Sequence, residues 1–395
     1  VNMPVLDIAV NATRILQHIW MYPGISRIDL SRELNLNKST ITKIVQTLMD
    51  ENLVRPASNA YITDGKGRRP TGLYLNEELG VVLGIEIRTE SWNAVAVDLN
   101  GRTVDRCETL DIAEDLDMLG AIRSAITHCE ARQVAEGRRV LGAGVGLSGQ
   151  INPYEGVVLS SNPLKVAEPV NVFEEMKCCF PFPVVVENDA NCCAWKVMME
   201  KRAKSHRNFL CILGEFRRIG MGPEDGYSEI EGIAVGLGVV IKDTVLHGDQ
   251  FSAGEFQSVF KTHENPSQFN LSFSEVAKLK DSEVLLQQVI QEMARNIALL
   301  VNVLNFTLVQ VVGDIAAEAD LVREALSEEI ELNWLYDSKT NCVVEVCPGD
   351  TAPVATGAAA YFLNRLFSIP DIHGEYGGSY PFGLELLRLT LENSA

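Results

Sequence analysis

The chain has 395 residues, 46% of them hydrophobic, which is enough for two or three globular domains with ordinary cores. Its formal net charge is −19, yet residues 1–80 carry nine Lys and Arg against eight Asp and Glu. A body this acidic repels nucleic acid, which confines any such contact to residues 1–80. No apolar run is long enough to span a membrane, and no signal peptide precedes the first predicted helix, so we expect a cytoplasmic protein.

The nine cysteines form no C-x-x-C pair, and two adjacent doublets occur at Cys178-Cys179 and Cys192-Cys193. Adjacent cysteines do not readily form a local disulfide. We therefore expect the cysteines to be reduced and to behave as small buried apolar residues.

Three helices are predicted at the start of the chain. The first, over residues 5–21, supplies Ile8, Ile15, Leu16 and Ile19 to a small core. The second opens at Ser26, whose hydroxyl can accept a hydrogen bond from the backbone N–H three residues later. The Asp29 side chain can in turn accept from the backbone N–H of Ser26, as in a capping box. This helix continues to Leu34. After a break at residues 35–37, a third helix begins with Asn37 as its cap and carries one apolar face: Ile41, Ile44, Val45, Leu48 and Met49.

The opposite face of the third helix is polar. Its N-terminal end is the end that enters the major groove in helix-turn-helix proteins, where such groups bond phosphates and base edges. We interpret it as a recognition helix. Its candidate DNA-binding residues are Lys38, Ser39, Thr40, Thr42, Lys43 and Gln46.

A hairpin wing is predicted next, because strand-like segments at residues 53–55 and 73–75 bracket a polar segment that contains glycine. Lys66, Arg68 and Arg69 stand at its tip beside Gly67 and Pro70. Arginines on such a loop suit the narrow minor groove of A·T-rich DNA. A solvated basic turn is the alternative for this string alone, but its place after a capped helix pair favours DNA. Residues 1–80 are thus predicted to form a winged helix-turn-helix domain.

From residue 81 the chain alternates apolar strands with amphipathic helices. Strands are predicted at residues 81–87, 94–98, 104–110, 140–147 and 183–187, with helices at 116–136 and after residue 189. The same progression recurs, with strands at 209–213, 232–241 and 308–313, a helix at 282–305 and a final helix from Ala352. Two α/β lobes, over residues 81–190 and 191–395, would meet at a cleft, the usual place for a small ligand.

Four short segments in this body carry a family resemblance. They are residues 144–149 (GVGLSG), 156–162 (GVVLSSN), 187–191 (ENDAN) and 253–255 (AGE). In order and rough spacing they resemble the ROK family of sugar kinases and repressors, and the leading winged helix and the Gly-Arg-Arg-Pro wing resemble its repressor branch. The resemblance implies an actin-like, hexokinase-type α/β fold, a sugar in the interlobe cleft, and a homodimer or larger assembly on a palindromic double-stranded DNA operator.

The resemblance also implies sugar contacts at Gly149, Asn162, Asn188, Asp189 and Glu255. Asp189 matches the family's catalytic base. Since a carboxylate at that place also bonds a sugar hydroxyl in the ground state, we interpret it as retained for ligand binding, with no catalytic residue. An Asn-Asp pair after a strand can instead be a turn or helix cap, and Gly and Asn are common in loops for steric reasons alone.

Phosphoryl transfer from ATP needs glycine turns that approach the phosphates. Where the family's kinases resemble Asp-x-Gly-x-Thr, residues 86–90 read Glu-Ile-Arg-Thr-Glu, and a carboxylate there repels polyphosphate. The second phosphate loop corresponds to residues 232–238, which lack the hydroxyl, and the nucleotide-base loop to residues 313–315. Three altered segments predict a protein that is not an enzyme and needs no cofactor.

The family's structural zinc site pairs a His, three residues after the Glu, with nearby cysteines. Ser258 stands at the position of that His, no cysteine lies between Cys211 and Cys342, and His263 is isolated. We therefore expect no metal site. Because that His usually helps to hold the sugar, its absence leaves open an unusual carbohydrate or no ligand.

Two segments stay unassigned. Residues 215–231, with Arg217, Arg218 and Asp225, look longer than the family's hairpin and could be a dimer contact, an effector lid or a plain surface loop. The tail beyond Ser368 ends in a predicted helix at residues 384–391 that could pack on the body or across a dimer. The favoured hypothesis is a sugar-responsive repressor. The alternatives are a sugar kinase with a fused DNA-binding domain and a ligand-independent DNA-binding scaffold.

Overall fold

The computed structural model describes residues 3–57, 71–109, 116–202, 206–220, 229–262 and 267–368. These belong to two compact units: unit 1, from residues 1–187, 199–204 and 358–395, and unit 2, from residues 188–198 and 205–357. Within the described ranges, no helix is both long and apolar enough to cross a membrane. The domain bounds predicted at residues 80 and 190 follow the order of the chain and stay a prediction.

The start of unit 1 has the helices and strands of a winged helix. They are α1 (Met3–Met21), β1 (Ile25–Ser26), α2 (Arg27–Glu33), α3 (Lys38–Asp50), β2 (Val54–Pro56) and β3 (Gly72–Leu75). The strands pair in the order β1-β3-β2, antiparallel, with Val54 opposite Leu75. The predicted helix-turn-helix and the two wing strands are confirmed. The two-residue strand β1 was not predicted, because it is too short to show an alternating pattern.

The apolar faces predicted for these helices are buried: Ile15, Leu16, Ile19, Leu30, Leu34, Ile41, Ile44, Val45 and Leu48. Met49 is only half-buried, and the side chain of Ile8 lies outside the described residues. Ser26 accepts from the backbone N–H of Asp29 at 3.2 Å, as expected. The Asp29 carboxylate accepts from the Ser26 hydroxyl at 2.6 Å, and not from the backbone N–H of Ser26 as in a capping box.

The rest of unit 1 is an α/β sheet with a small second sheet. Its elements are β4 (Val81–Ile87), β5 (Trp92–Asp98), β6 (Thr103–Thr109), α4 (Met118–Ala135), β7 (Val140–Leu147), β8 (Gln150–Asn152), β9 (Val157–Ser160), β10 (Val170–Asn171), α5 (Val172–Lys177) and β11 (Val184–Asn188). The large sheet has the order β11-β7-β4-β5-β6, and the small one β10-β9-β8. Strand β4 runs antiparallel to β5 and parallel to β7.

The remaining elements build unit 2 and the C-terminal helix. They are α6 (Asp189–Glu200), β12 (Phe209–Gly220), β13 (Glu229–Ile241), β14 (Thr244–Val245), α7 (Phe273–Val276), α8 (Glu283–Leu304), β15 (Leu308–Val312), α9 (Ala319–Leu332), β16 (Val343–Val346) and α10 (Pro353–Phe367). The sheet has the order β14-β13-β12-β15-β16, with β12 antiparallel to β13 and parallel to β15. Both five-stranded sheets thus place a three-strand meander beside two later strands. This repeat confirms the predicted fold of two α/β lobes.

Glycine in strand β7 has a packing reason. A Cβ added at Gly144 would lie 2.0 Å from the carbonyl oxygen of Ala358, and one added at Gly142 would lie 2.0 Å from the ring of Phe362. Helix α10 therefore rests directly on the backbone of this strand, which only glycine permits.

No disulfide joins the nine cysteines, all of which are described. Cys192 and Cys193 are buried, as expected, but Cys178 and Cys179 are exposed, so the expectation of burial is wrong for that doublet. The reason is local. They follow the short helix α5, whose buried positions are Val172, Phe173 and Met176.

Candidate functional site

The polar face of α3 is presented to solvent. Lys38, Ser39, Thr42, Lys43 and Gln46 are exposed, whereas Thr40 is half-buried. Both lysines lie in the first two turns, and the acidic residues Asp50 and Glu51 lie at the other end. The N-terminal half of α3 is therefore the end suited to an anionic backbone.

Some of these groups already have partners. The Thr42 hydroxyl donates to the carbonyl oxygen of Lys38 at 2.8 Å, and the Gln46 amide donates to Asp50 at 2.8 Å. Asn37 takes the predicted N-cap position but makes no side-chain cap hydrogen bond. The first-turn N–H groups of α3 are thus not occupied by that side chain, and such groups bind phosphate readily.

The wing tip with Lys66, Arg68 and Arg69 lies outside the described residues. Its role in the minor groove stays a prediction. The strands that lead to it are anchored at their base by an ion pair of 2.5 Å between Arg55 and Glu77.

Two predicted ligand residues, Asn188 and Asp189, lie where strand β11 meets helix α6. The Asn188 side-chain oxygen accepts from the backbone N–H groups of Ala190 at 3.0 Å and Asn191 at 3.1 Å. Asn188 therefore serves as a helix cap, the alternative left open for an Asn-Asp pair. Asp189 is buried, and its carboxylate accepts from the N–H of Ala190 at 2.8 Å.

Arg217 links this carboxylate to a second one. Its Nη2 atom lies 2.7 Å from Asp189 Oδ2 and 2.6 Å from Glu215 Oε2, and its Nε donates to the same Glu215 oxygen at 3.0 Å. Glu215 is 2% exposed. Burial lowers the pKa of the Arg217 guanidinium, but the charges of Asp189 and Glu215 outweigh burial and raise it above its usual value. Arg217 is therefore a permanent cation at the predicted ligand site.

The sequence singled out neither Glu215 nor Arg217 as a site residue. Residues two apart on a strand share one face, so the string Glu-x-Arg on β12 was the signal that could have found this pair. We call Asp189, Glu215, Arg217 and Glu255 the Asp189 cluster.

Glu255 reaches the cluster on a loop that crosses β13. The N–H of Leu237 donates to the carbonyl oxygen of Gly254 at 3.0 Å, and Gly254 has φ +96°. A Cβ there would lie 1.9 Å from the Leu237 carbonyl oxygen, so only glycine allows this approach. Although Glu255 is exposed overall, the partial burial of its carboxyl group raises its pKa, as does the charge of Asp189, while Arg217 lowers it. Asp189 and Glu255 are thus brought close enough for their charges to interact.

Gly149 and Asn162 belong to unit 1. Gly149 has φ +124°, and a Cβ there would lie 2.4 Å from the Ser160 carbonyl oxygen, which is a steric reason for glycine. Asn162 is exposed in the turn that follows β9. Their ligand role stays a prediction.

The first predicted phosphate turn is closed by an ion pair. Glu86 is 2% exposed, and its carboxylate accepts from Arg88 Nε at 2.7 Å and from Asn93 at 3.2 Å. The N–H of Arg88 donates to the Ser91 carbonyl oxygen at 2.9 Å, which gives a tight turn between β4 and β5. A bulky, charge-paired turn cannot offer a row of N–H groups to phosphate.

The second predicted phosphate loop is not a loop. Residues 232–238 lie within β13 and pair with β12 at every position, from Gly232 opposite Arg217 to Gly238 opposite Cys211. The hairpin continues to Gly220 opposite Glu229, so the plain-loop interpretation is wrong for the described ends of residues 215–231.

The segment predicted to hold the nucleotide base, residues 313–315, is occupied by contacts within the protein. Asp314 accepts from the N–H of Phe216 at 2.8 Å, and Ile315 is buried against Gly214.

Ser258, which stands where the family resemblance places a histidine ligand of zinc, forms hydrogen bonds within the protein. It is 3% exposed, and its hydroxyl oxygen accepts from the N–H of Phe260 at 3.1 Å and from Asn296 at 3.2 Å. Within the described ranges, no group of three or more His, Cys, Asp or Glu side chains could hold a metal ion. His263 lies outside those ranges.

Known proteins match this chain in both parts. The family model described as ROK family matches residues 82–223, and that described as winged helix-turn-helix DNA-binding matches residues 11–55. The xylose repressor of Bacillus spizizenii is 28% identical over 247 residues, 62% of this chain and 59% of that protein. The xylose repressor of Caldicellulosiruptor bescii is 23% identical over 411 residues, 92% of this chain and 97% of that protein.

Solved structures with the same fold include regulators and kinases. A ROK family transcriptional regulator described as a homologue of the E. coli MLC protein has a TM-score of 0.72, covers 98% of this chain and 99% of its own, and is 19% identical. A ROK family glucokinase from Streptomyces griseus has a TM-score of 0.50 and covers 71% of this chain. The chain spans 58% to 59% of the length of three of the xylose repressors that it matches. The chain therefore carries a ROK family domain preceded by an N-terminal winged helix-turn-helix domain.

Proposed function

We propose that the protein is a DNA-binding transcriptional repressor of carbohydrate-metabolism genes whose affinity for its operator is controlled by a sugar. The observation that carries this proposal is the exposed polar face of α3 in a domain that matches a winged helix-turn-helix DNA-binding model. The xylose repressors among the relatives make an aldose such as D-xylose the first effector to test. A regulator of this kind acts in the cytoplasm, where the DNA is.

In this proposal, two copies bind a palindromic operator, and each sets one α3 into a major groove. Lys38 and Lys43 contact phosphates, and Gln46 reads a base edge after it releases Asp50. Lys66, Arg68 and Arg69 enter the neighbouring minor groove. Since both half-sites must be met together, a small change in the spacing of the two domains lowers specific affinity strongly.

The sugar binds at the Asp189 cluster. Carboxylates and a guanidinium bond the donors and acceptors of sugar hydroxyls, and the cluster offers both kinds of group. A hydroxyl that takes an oxygen of Asp189 competes with Arg217, and Arg217 is carried by the long hairpin of β12 and β13. We propose that this exchange changes the position of the hairpin and so transmits binding.

Kinase activity is the alternative, since Asp189 stands at the position of a catalytic base. Three observations argue against it: Arg217 occupies the carboxylate, the turn at residues 88–91 is bulky, and Ile315 fills the nucleotide-base segment. A kinase would form ADP from ATP with some hexose or pentose, and Asp189→Asn would abolish this turnover.

The test of DNA binding starts with selection of duplexes from a random pool by the full chain, followed by titration of the selected duplex at several salt concentrations. Lys38→Ala with Lys43→Ala removes two phosphate contacts from each copy. We expect weaker binding and a salt slope that falls by about 2 per copy. Lys177→Ala, an exposed lysine on α5, is the matched control. An unchanged slope in the double variant, or no duplex enriched by the wild type, would contradict the proposal.

A further inference from the structure

A cavity of about 410 Å³ lies within unit 1, between the winged helix and the first α/β sheet. The wing strands contribute Arg55 and Tyr74, and the turn after β5 contributes Arg102. The last residue of α6, Glu200, and Arg202 in the turn after it complete the charged lining. The volume is that of a site for a small molecule. None of the residues predicted to bind sugar or DNA lines it.

The charged residues that line the cavity give it a small excess of positive charge in an acidic protein. Three arginines line it against two glutamates, although the chain as a whole has a formal charge of −19. Arg55 is already paired with Glu77 at 2.5 Å. The side chain of Arg102 is exposed, and within the described residues neither Arg102 nor Arg202 has a carboxylate within ion-pair distance.

Arg202 is a half-buried cation. Its Nη2 donates to the carbonyl oxygen of Asn100 at 2.8 Å, and its guanidinium lies 5.2 Å from the ring centre of Trp20. Its Nη1 is buried and has no acceptor within the described parts of the chain. Burial lowers the pKa of this guanidinium, although Asp98 raises it. A half-buried guanidinium with one buried, unmet donor favours an oxyanion.

Asp98 forms no side-chain hydrogen bond or ion pair with either arginine within the described residues, although its charge acts on both. Its Oδ1 atom accepts from the backbone N–H groups of Asn100 at 2.8 Å and Arg102 at 2.9 Å, and it thereby fixes the turn that carries Arg102. The turn thus holds Arg102 at the cavity on a fixed backbone. Arginine binds carboxylate and phosphate groups through paired N–H bonds.

We propose that this cavity is an effector site for a small metabolite that carries a phosphate or carboxylate group, which Arg102 and Arg202 bind. The site is separate in sequence and in residues from the Asp189 cluster. Its existence does not depend on the proposed function, whereas its regulatory effect does.

The position of the cavity couples it to the DNA-binding domain. Trp20, at the end of α1, lies under Arg202, and its ring centre is 5.7 Å from that of Phe367 at the end of α10. In this proposal the Arg202 guanidinium binds the anion and also packs on Trp20 of α1, the helix that precedes the helix-turn-helix. An anion that draws Arg202 from Trp20 changes how firmly the winged helix is held.

The test is calorimetric titration of the full chain with inorganic phosphate, glucose 6-phosphate, gluconate and glucose at constant ionic strength. We expect at least one of the three anions to bind and Arg102→Gln to weaken that binding at least tenfold. Phosphate-selective and carboxylate-selective binding are distinguished by glucose 6-phosphate and gluconate. Arg123→Gln, an exposed arginine on α4, is the matched control and leaves the affinity unchanged.

Arg202→Gln is measured as a second variant after its thermal unfolding has been recorded, because its burial makes it a risk for folding. The anion affinity of Arg102→Gln decides the test, because Arg102 is exposed and its replacement is not expected to affect folding. Absence of binding by all three anions at millimolar concentration, or binding that Arg102→Gln leaves unchanged, overturns the proposal. Anion binding in a protein that binds no DNA would contradict the proposed function and leave this site standing.

Discussion

The first hairpins of the two five-stranded sheets differ in length, but each contains an ion pair between a buried glutamate and an arginine two residues later. In the first sheet, β4 ends with buried Glu86, and Arg88 two residues later pairs with it at 2.7 Å. In the second, buried Glu215 on β12 pairs with Arg217 at 2.6 Å. In both, an internal ion pair stands on the hairpin to which the family resemblance assigns a phosphate loop. The positions are thus closed by charge pairing as well as by bulk.

The two arginines then differ in what they connect. Arg88 has 36% of its side chain exposed and lies on a tight turn. Arg217 is 25% exposed, and because β12 and β13 continue as a long paired hairpin, it reaches Asp189 on α6 as well. Extension of the hairpin thus converts a local pair into a link between the sheet and the candidate ligand site.

The largest expected effect comes from Arg217→Met, which leaves Asp189 and Glu215 as two buried carboxylates without their cation. Breaking a buried pair in this way is strongly destabilising. We expect the free energy of unfolding in denaturant to fall by about 3 kcal/mol. Arg218→Met, the exposed neighbour, is the control and should stay within about 0.5 kcal/mol of wild type.

A double variant sharpens the same test. Asp189→Asn removes one of the two carboxylate charges that have lost this cation, so Arg217→Met with Asp189→Asn should regain part of the loss. If Arg217→Met unfolds at the same denaturant concentration as wild type, Arg217 does not link β12 to α6 in solution.

Arg88→Met tests the other hairpin, and a smaller loss is expected. Glu86 keeps its hydrogen bond from Asn93 at 3.2 Å, and Arg88 is more exposed than Arg217. We expect a loss of about 1 kcal/mol in the same unfolding experiment. A loss as large as that of Arg217→Met would mean that the two hairpins are equivalent and that the contact with Asp189 adds nothing.

The smallest expected effect is a pH dependence at Glu255. Its pKa in the folded protein is raised above 4.5, first by burial and then by Asp189. The folded state therefore binds this proton more tightly, so the stability from Glu255 is fully present below pH 4.5 and is lost as pH rises through the folded pKa. Thermal unfolding should show Glu255→Gln more stable relative to wild type at neutral pH than at pH 4.5. Glu324→Gln, exposed on α9, should show no such difference; a shift of the opposite sign for Glu255→Gln would place that carboxylate away from Asp189.

Much of the fold could be predicted from the sequence because periodicity reports which face of an element is buried. Strands β4 and β7 have the bounds that their apolar runs indicate, and α3 buries the expected stripe. Within the candidate site, the order of motifs pointed to Asp189 and Glu255. The ligand role of these two residues stays a prediction. The agreement in the fold rests on local patterns, in which each residue is interpreted from its neighbours in the chain.

The contacts between different helices, strands and turns that the sequence did not predict join residues distant in the chain. Arg217 and Asp189 are separated by 28 positions, and nothing in the local pattern of either names the other. Arg102 and Arg202 were overlooked for the same reason, since only folding brings the turn after β5 to the end of α6. The exposed doublet Cys178-Cys179 shows the converse, because residue type alone predicted burial.

Control of DNA binding by a sugar is tested most directly by the affinity of the full chain for its selected duplex, titrated with and without saturating D-xylose or another aldose, in wild type and in Asp189→Asn. We expect one sugar to weaken DNA binding of the wild type at least tenfold, and we expect Asp189→Asn to lose this response while still binding DNA. No ADP should form when ATP is present. Sugar-dependent formation of ADP, or a DNA affinity that no sugar changes, would contradict the proposed function.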